Sequence, residues 1–244
     1  VACDPGVSAA WQLLPCVEKV FPFGFEAGPS LADWANLLGN VREPDFQVCV
    51  NFAEGQQVNL MLSMSHIPSR IGTSGFACTE QVQAGDGFAA QRLSTYLSPL
   101  GCNLDADAFR LALPSQELEE ARSSQPKGDG PMLILAPSSE DQDWPSDRWL
   151  ALPKSISKRL ATLRSSTLDL NLSMRRRAAA VACADVVLSS CAITQRLAVY
   201  FGIPLVALGA TPTDFPPRGD IRCLGMRSDL ASLTEQEVLD ALGF

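Results

Sequence analysis

Short apolar runs alternate with amphipathic stretches along the chain. The clearest run is DFQVCVNF at 45–52, which is rich in β-branched and aromatic residues and is bounded by Pro44 and by polar residues. This pattern is typical of a buried strand. Strands that alternate with helices indicate parallel sheets covered by helices. In the first half, the pattern predicts strands at 17–23, 45–52 and 69–74, and helices at 30–43, 56–66 and 87–101.

A polar segment at 113–130 interrupts the alternation. It is rich in Ser, Gly and Pro and has almost no large apolar residue after its first turn, so it predicts an interdomain linker. We therefore expect two doubly wound, Rossmann-like α/β domains, at 1–112 and 131–244. In the second, the pattern predicts strands at 131–137, 185–189 and 203–209, and helices from Ser146, at 173–184, at 194–202 and after Thr234.

Two irregularities disturb this picture. The chain opens on VACD, which has the character of a second strand, so the first strand and helix of domain one are expected to lie before Val1. Residues 155–172 contain no continuous buried run, although a doubly wound sheet should place a strand there. Two complete Rossmann-like halves would need ~60 to 80 residues more. The sequence is thus predicted to omit parts of a longer protein, including a strand of domain two.

Composition and charge exclude several classes of protein. The chain has 27 acidic and 19 basic residues, a net charge of −8, and 46% apolar residues, which is typical of a soluble globular protein. Nucleic acid is an unsuitable partner, because phosphate neutralisation needs clustered Lys and Arg. No run approaches the ~18 apolar residues of a membrane span. A cytoplasmic location is therefore expected.

The cysteines and the single histidine give no metal site. The eight cysteines are scattered and form no CxxC pair, and most are predicted to be buried, unpaired structural residues. His66 has no nearby Cys or second His, so it is interpreted as a helix-end residue and not as a zinc ligand.

Three segments carry a family resemblance. The first is ILAPSSEDQDWPSDRW at 134–149, which is similar to a family pattern of a strand followed by a Trp-Pro loop. The second is the segment 183–211, which is similar to a pattern of strand, phosphate loop, helix and Gly-x-Pro strand. Residues 45–52 with 60–72 are similar to a strand and to a helix leading into an Arg-Ile-Gly strand. Their order resembles the family-nine glycosyltransferases, the ADP-heptose:lipopolysaccharide heptosyltransferase relatives. The resemblance implies a GT-B fold, two Rossmann-like domains facing a cleft, with the nucleotide sugar bound mainly by the second.

The resemblance also implies a function. The expected reaction transfers a heptose-like sugar from a nucleotide-diphosphate donor, with ADP favoured, to a glycan or lipid-linked acceptor in lipopolysaccharide biosynthesis. It needs no cofactor and no metal. The expected location is the cytoplasm, at the inner face of the cytoplasmic membrane, with peripheral contact and no transmembrane segment.

The donor site is expected where strands end and helices begin. Backbone N–H groups and helix N-termini there bind phosphates, and ligands of open α/β sheets lie at the carboxyl ends of strands. Polar side chains at these turns are equally well explained as helix caps, and Trp144 as a packing residue. The predicted binding residues are Ser138, Ser139, Trp144, Ser190, Cys191, Ala192, Thr194 and Gln195.

The chain departs from the family at important positions. Cys191-Ala192-Ile193 stands where the resemblance implies Asp-Thr-Gly, and Arg196 stands for a His. Ile in place of Gly restricts the approach of the backbone to phosphate. The family's catalytic Asp would precede Val1, and Asp4 is more simply part of an Asp-Pro-Gly turn, so no catalytic residue is assigned. The alternative function is a catalytically degenerate GT-B protein acting as a binding or scaffold subunit.

One basic cluster stands out. Arg175-Arg176-Arg177 begins a predicted helix, where positive charge opposes the helix dipole. The cluster is interpreted as a solvated helix face, with a diphosphate clamp or a contact with an anionic membrane surface as alternatives.

Overall fold

The apolar runs of the described residues assemble into three separate parallel sheets. The computed structural model describes residues 1–83, 85–139 and 143–244, and the chain divides into two units, Val1–Ala108 and Phe109–Phe244. No helix among the described residues is long and apolar enough to cross a bilayer.

The first unit has a two-stranded sheet, β1-β2, and a three-stranded sheet, β3-β4-β5, both parallel. A capping box starts its longest helix: Ser30 and Asp33 each accept a hydrogen bond from the other's backbone N–H. That helix buries Trp34 against Phe23. The elements of this unit are β1 (Ala2–Cys3), α1 (Ser8–Trp11), β2 (Phe21–Pro22), α2 (Leu31–Arg42), β3 (Val48–Val50), α3 (Gln56–Met64), β4 (Ser69–Gly72) and β5 (Glu80–Gln81).

The second unit is a five-stranded parallel sheet in the order β10-β9-β8-β6-β7. Read from the other edge this is the 2-1-3-4-5 order of doubly wound folds. Its elements are α4 (Ser115–Ser124), β6 (Met132–Ala136), α5 (Ser146–Ser157), β7 (Arg164–Thr167), α6 (Met174–Ala182), β8 (Val186–Ser189), α7 (Ala192–Phe201), β9 (Leu205–Leu208), β10 (Ile221–Leu224) and α8 (Glu235–Leu242).

Side chains of β6 show why this sheet needs helices on both faces. All five residues of the strand are buried. Leu133 and Leu135 point to one face, where they join the core formed with Trp149 of α5 and Val238 of α8. Residues between them point to the opposite face, as the period of two in a strand requires. Helices α6 and α7 contact each other within this unit.

Two strands of the second unit differ from the sequence predictions. The segment 155–172 does contain a strand, β7, whose sequence Arg-Ser-Ser-Thr is only partly buried. It is an edge strand paired with β6 alone, so it needs no apolar run. The expectation that a strand is omitted from the second domain is therefore wrong. The other missed strand is β10, at the opposite edge.

The predicted linker 113–130 also differs from the structure. Most of it forms α4, which belongs to the second unit and contacts α6. No residue of α4 is buried, which is why the segment lacks apolar residues. The interpretation of this stretch as a linker is corrected accordingly.

The helix predicted at 87–101 and the predicted burial of most cysteines are also corrected. The helix predicted at 87–101 is formed as 3₁₀ turns at Gln91–Tyr96 and Ser98–Leu100. Of the eight cysteines, all unpaired, Cys3 is buried, Cys16 and Cys102 are exposed and the others are partly buried.

The interpretation of His66 is confirmed. It follows the end of α3 in the left-handed region, with a φ of 65°. The Arg42 guanidinium donates a hydrogen bond to its Nε2 (2.7 Å). His66 thus lies at a helix end, as predicted.

Candidate functional site

The carboxyl ends of β6 and β8 lie side by side in the second unit. Ala136, the last residue of β6, is paired with Ser189, the last residue of β8. The strand order reverses here, because β7 lies on one side of β6 and β8 on the other. In open α/β sheets, ligands bind outside the carboxyl ends of the strands at such a switch point. We call this region, formed by 136–139 and 189–195, the switch-point edge.

Serine side chains tie the two strand ends together. The Ser189 hydroxyl donates to the Ala136 carbonyl (2.9 Å) and accepts from the Cys191 N–H (3.0 Å). The Ser190 hydroxyl accepts from the Ser138 N–H (2.9 Å). Both serines are fully buried. The Ser190 side chain therefore has a structural partner, but it does not cap α7, whose N-cap is Cys191.

Asp143 contacts the candidate site through hydrogen bonds that the sequence did not reveal. One oxygen of its carboxylate accepts from the Ser138 N–H and the other from the Trp144 N–H, each at 2.7 Å. The end of β6 thus already holds an anion supplied by the chain itself. The residues between Ser139 and Asp143 lie outside the described ones.

Trp144 is a core residue. Its side chain is 1% exposed, and it packs edge-to-face on Trp149 with ring centroids 5.3 Å apart. Its Nε1–H donates to the Leu233 carbonyl (2.8 Å). Since no face of the ring reaches the surface, the packing interpretation accounts for Trp144, and contact with a nucleotide would require it to leave the core.

Gln195 joins the end of β8 to the end of β9. It is buried, and its Nε2 donates to the carbonyls of Ser189 (2.8 Å) and Leu208 (3.1 Å). These carbonyls end β8 and β9. The amide therefore fixes the spacing of the strands beneath the switch-point edge.

Helix α7 begins two residues earlier than predicted, at Ala192. The segment Cys191-Ala192-Ile193 is therefore the N-cap and first turn of a helix. The Cys191 side chain makes no capping hydrogen bond, and the first N–H groups of a helix have no partner within it. Ala192 and Ile193 are exposed. Because Ile193 has ordinary helical geometry, glycine is not needed there, and only its side chain can limit access to the turn.

The three arginines of α6 have different environments. Arg175 forms an ion pair with Glu117 of α4 (2.7 Å). The hydrogen bond from Arg175 holds the pKa of the Glu117 carboxyl below its usual value. Arg176 is exposed. Arg177 is buried, 7% exposed, and its Nη1 donates to Oγ1 of Thr194 (3.1 Å) in the first turn of α7. The prediction of a solvated face is thus wrong for Arg177.

A further cation reaches the switch-point edge from the chain after β10. Nη1 of Arg227, which is partly buried, donates to the carbonyl of Ser190 (3.1 Å). Nothing in the local sequence marks this arginine, because its partner is 37 positions away.

The described part of the chain contains no evident metal or catalytic residue. The described residues include no group of three or more His, Cys, Asp or Glu side chains arranged to hold a metal ion. Asp4 accepts from the Gly6 N–H (2.8 Å) and caps a 3₁₀ turn, as its Asp-Pro-Gly sequence predicts.

Searches by sequence and by structure gave different results. No family model matches the chain, and no curated protein matches it. The structure of a glycosyl transferase of family 9 from Veillonella parvula DSM 2008 is similar over 99% of this chain and 86% of its own, with a TM-score of 0.77 and 15% identity.

Two Escherichia coli structures are also similar. ADP-heptose lps heptosyltransferase II has a TM-score of 0.72 and 16% identity over 100% of this chain and 87% of its own. Heptosyltransferase WaaC with ADP-2-deoxy-2-fluoro heptose has a TM-score of 0.69 and 14% identity over 99% of this chain and 88% of its own. At these identities the likeness establishes the fold, so the GT-B expectation is confirmed.

Proposed function

We propose that this chain is a glycosyltransferase that moves a heptose-like sugar from a nucleotide-diphosphate donor to a glycan or lipid-linked acceptor. The observation that carries the proposal is the fold shared over 99% of the chain with a family 9 glycosyl transferase. Structures similar to this one are named for ADP-heptose or contain ADP, which supports ADP as the donor nucleotide. A lipid-linked acceptor would place the reaction at a membrane surface, and we propose the inner face of the cytoplasmic membrane.

The proposed position of the donor diphosphate is the first turn of α7. The N–H groups of this turn have no intrahelical partner and carry the positive end of the helix dipole. Cys191 and Ala192 are the N-cap and the first residue of this helix, and Ala192 and Ser139 are exposed. The net charge of the chain is −8, so an anionic donor must be attracted by such local groups and not by the overall field.

The same groups would act in catalysis. Transfer leaves a nucleoside diphosphate with a growing negative charge, and oriented N–H groups stabilise such charge when they are fixed before the reaction. Ser189 and Gln195 provide that fixing, because their hydrogen bonds hold the ends of β6, β8 and β9. In this proposal the donor needs no metal. The general base is assigned to no described residue.

Titration with nucleotides tests the proposed donor site. We expect ADP and ADP-sugars to raise the melting temperature of the full chain and UDP and GDP to do so less. At a concentration of a hundred times Kd, the stabilisation would be about 2.7 kcal/mol. Adenosine is the control, because it has the base and ribose but no phosphate. If no nucleotide raises the melting temperature at millimolar concentration, the donor site is refuted and the scaffold alternative takes its place.

Substitution of Ile193 tests where the phosphate binds. Ile193 is 49% exposed on the first turn of α7, and because helical side chains lean toward the N-terminus, its branched chain would limit access to the N–H groups. We expect Ile193→Gly to tighten ADP binding several-fold in calorimetry. The cost in stability should not exceed about 1 kcal/mol. Ile193→Ala is the matched variant, because it removes the branched chain but keeps helix propensity. Unchanged ADP affinity in both variants would argue against this turn as the phosphate site.

A further inference from the structure

Arg177 is a buried cation, and no carboxylate within residues 1–83, 85–139 and 143–244 forms an ion pair with it. Its partners are neutral oxygens, the Thr194 hydroxyl and the backbone carbonyls of Asp169 (3.3 Å) and Leu170 (3.1 Å). The Asp169 carboxylate accepts instead from the Asn171 N–H (2.8 Å). Among the described residues, the ion pairs are Arg175–Glu117 and Arg218–Asp220, so neither contains Arg177.

This arrangement is unfavourable in the absence of an anion. The guanidinium of arginine stays protonated in proteins, and a buried charge is costly unless an opposite charge accompanies it. Arg177 is the fourth residue of α6, and its guanidinium contacts the third residue of α7. It is therefore close to the N-terminal ends of two helices, where the helix dipoles disfavour a cation.

We propose that Arg177 is a positioning residue for the donor diphosphate. Its hydrogen bond to the Thr194 hydroxyl (3.1 Å) places the guanidinium next to the first turn of α7, to which the Thr194 N–H belongs. Thr194 is fully buried, so the guanidinium lies behind the turn while a phosphate would approach from the exposed side. Its charge would then supplement the N–H groups without direct contact with the ligand. The proposal rests on the proposed function, which places the diphosphate at this turn.

The position of Arg177 makes its field effective. Charges in water are strongly screened, whereas those within a protein interact through a lower dielectric constant. Arg177 is 7% exposed, while the neighbouring Arg176 is exposed to solvent. Removal of the buried charge should therefore weaken binding of a phosphorylated ligand much more than removal of the exposed one.

Calorimetry of full-length variants with ADP and with adenosine tests the proposal. We expect Arg177→Gln to weaken ADP binding about tenfold and to leave adenosine binding unchanged. Arg177→Lys should restore most of the ADP affinity, because it keeps the charge. Arg176→Gln is the matched control on the same helix and should change neither ligand. Thr194→Val removes the hydroxyl contact but not the charge, and we expect it to weaken ADP binding by less than Arg177→Gln.

Each other outcome has a defined meaning. If the wild-type chain binds ADP and Arg177→Gln binds it equally well, the role of Arg177 is refuted and the donor site stands. If Arg177→Gln weakens ADP and adenosine alike, the arginine is only structural. If Arg177→Gln does not fold, Arg177→Lys decides. A folded Arg177→Lys that loses ADP binding, while Thr194→Val keeps it, would also refute a role of the charge. If wild-type protein binds no ADP, the proposed function fails first and the inference falls with it.

Discussion

Replacing Trp144 by alanine should lower the free energy of unfolding of the second unit by about 3–5 kcal/mol. The indole is 1% exposed and packs on Trp149, so the substitution leaves a cavity in the core between the sheet and α5. It also leaves the Leu233 carbonyl without the Nε1–H donor at 2.8 Å. Both losses fall in one place, which makes this the largest effect that we expect from a single substitution at a predicted site residue.

Urea denaturation of the full chain, followed by circular dichroism, measures this effect. Leu150→Ala is the control, because Leu150 lies on α5 but is 75% exposed. We expect that variant to remain within about 0.5 kcal/mol of wild type. A loss below 1 kcal/mol in Trp144→Ala would contradict the role in the core.

The variant Trp144→Phe separates packing from ligand contact. It keeps an aromatic ring in the core but cannot donate to Leu233. If Trp144 serves the core alone, this variant should lose stability and keep the wild-type affinity for ADP. A loss of ADP affinity in folded Trp144→Phe would instead support the original prediction that the ring borders the nucleotide.

The elements that the sequence predicted correctly are those in which burial dominates. Strand β6 is buried along its whole length, and so is β9, because both lie inside the parallel sheet. Strand β7 was missed, because an edge strand can consist of polar residues such as Arg-Ser-Ser-Thr. Helix α4 was missed for a similar reason, since none of its residues is buried. Hydrophobic periodicity reports burial, and it is silent where an element stays at the surface.

For the site, the sequence indicated the region but not which groups already have partners. Turns at 138–139 and 189–192 do lie together, as adjacent strand ends in a parallel sheet must. The partners of their polar groups come from distant positions: Ser138 and Ser190 are 52 residues apart, and Arg177 and Thr194 are 17 apart. No local pattern encodes such pairs. Asp143 was overlooked because its two backbone contacts depend on the path of the loop.

Gln195→Met should destabilise the second unit by about 2–3 kcal/mol, because it removes the amide donor of two buried hydrogen bonds while nearly preserving side-chain volume. Those carbonyls, of Ser189 and Leu208, end β8 and β9. Urea denaturation of the full chain measures the loss. Arg196→Met is the matched control, since Arg196 is the exposed neighbour on the same helix. An equal stability of both variants would show that the amide is not needed to hold the strands.

The same variant connects stability with the proposed function. The N–H groups of α7 can stabilise a diphosphate only if the helix is held in a fixed position over the strand ends. Gln195 belongs to that helix and bonds to both strands beneath it. We therefore expect folded Gln195→Met to bind ADP several-fold more weakly and adenosine as wild type does, measured by calorimetry well below the melting temperature. Lower stability with unchanged ADP affinity would have two explanations: the first turn of α7 keeps its geometry without the amide, or the diphosphate binds elsewhere. If the Ile193 variants also leave ADP affinity unchanged, the second explanation is the right one.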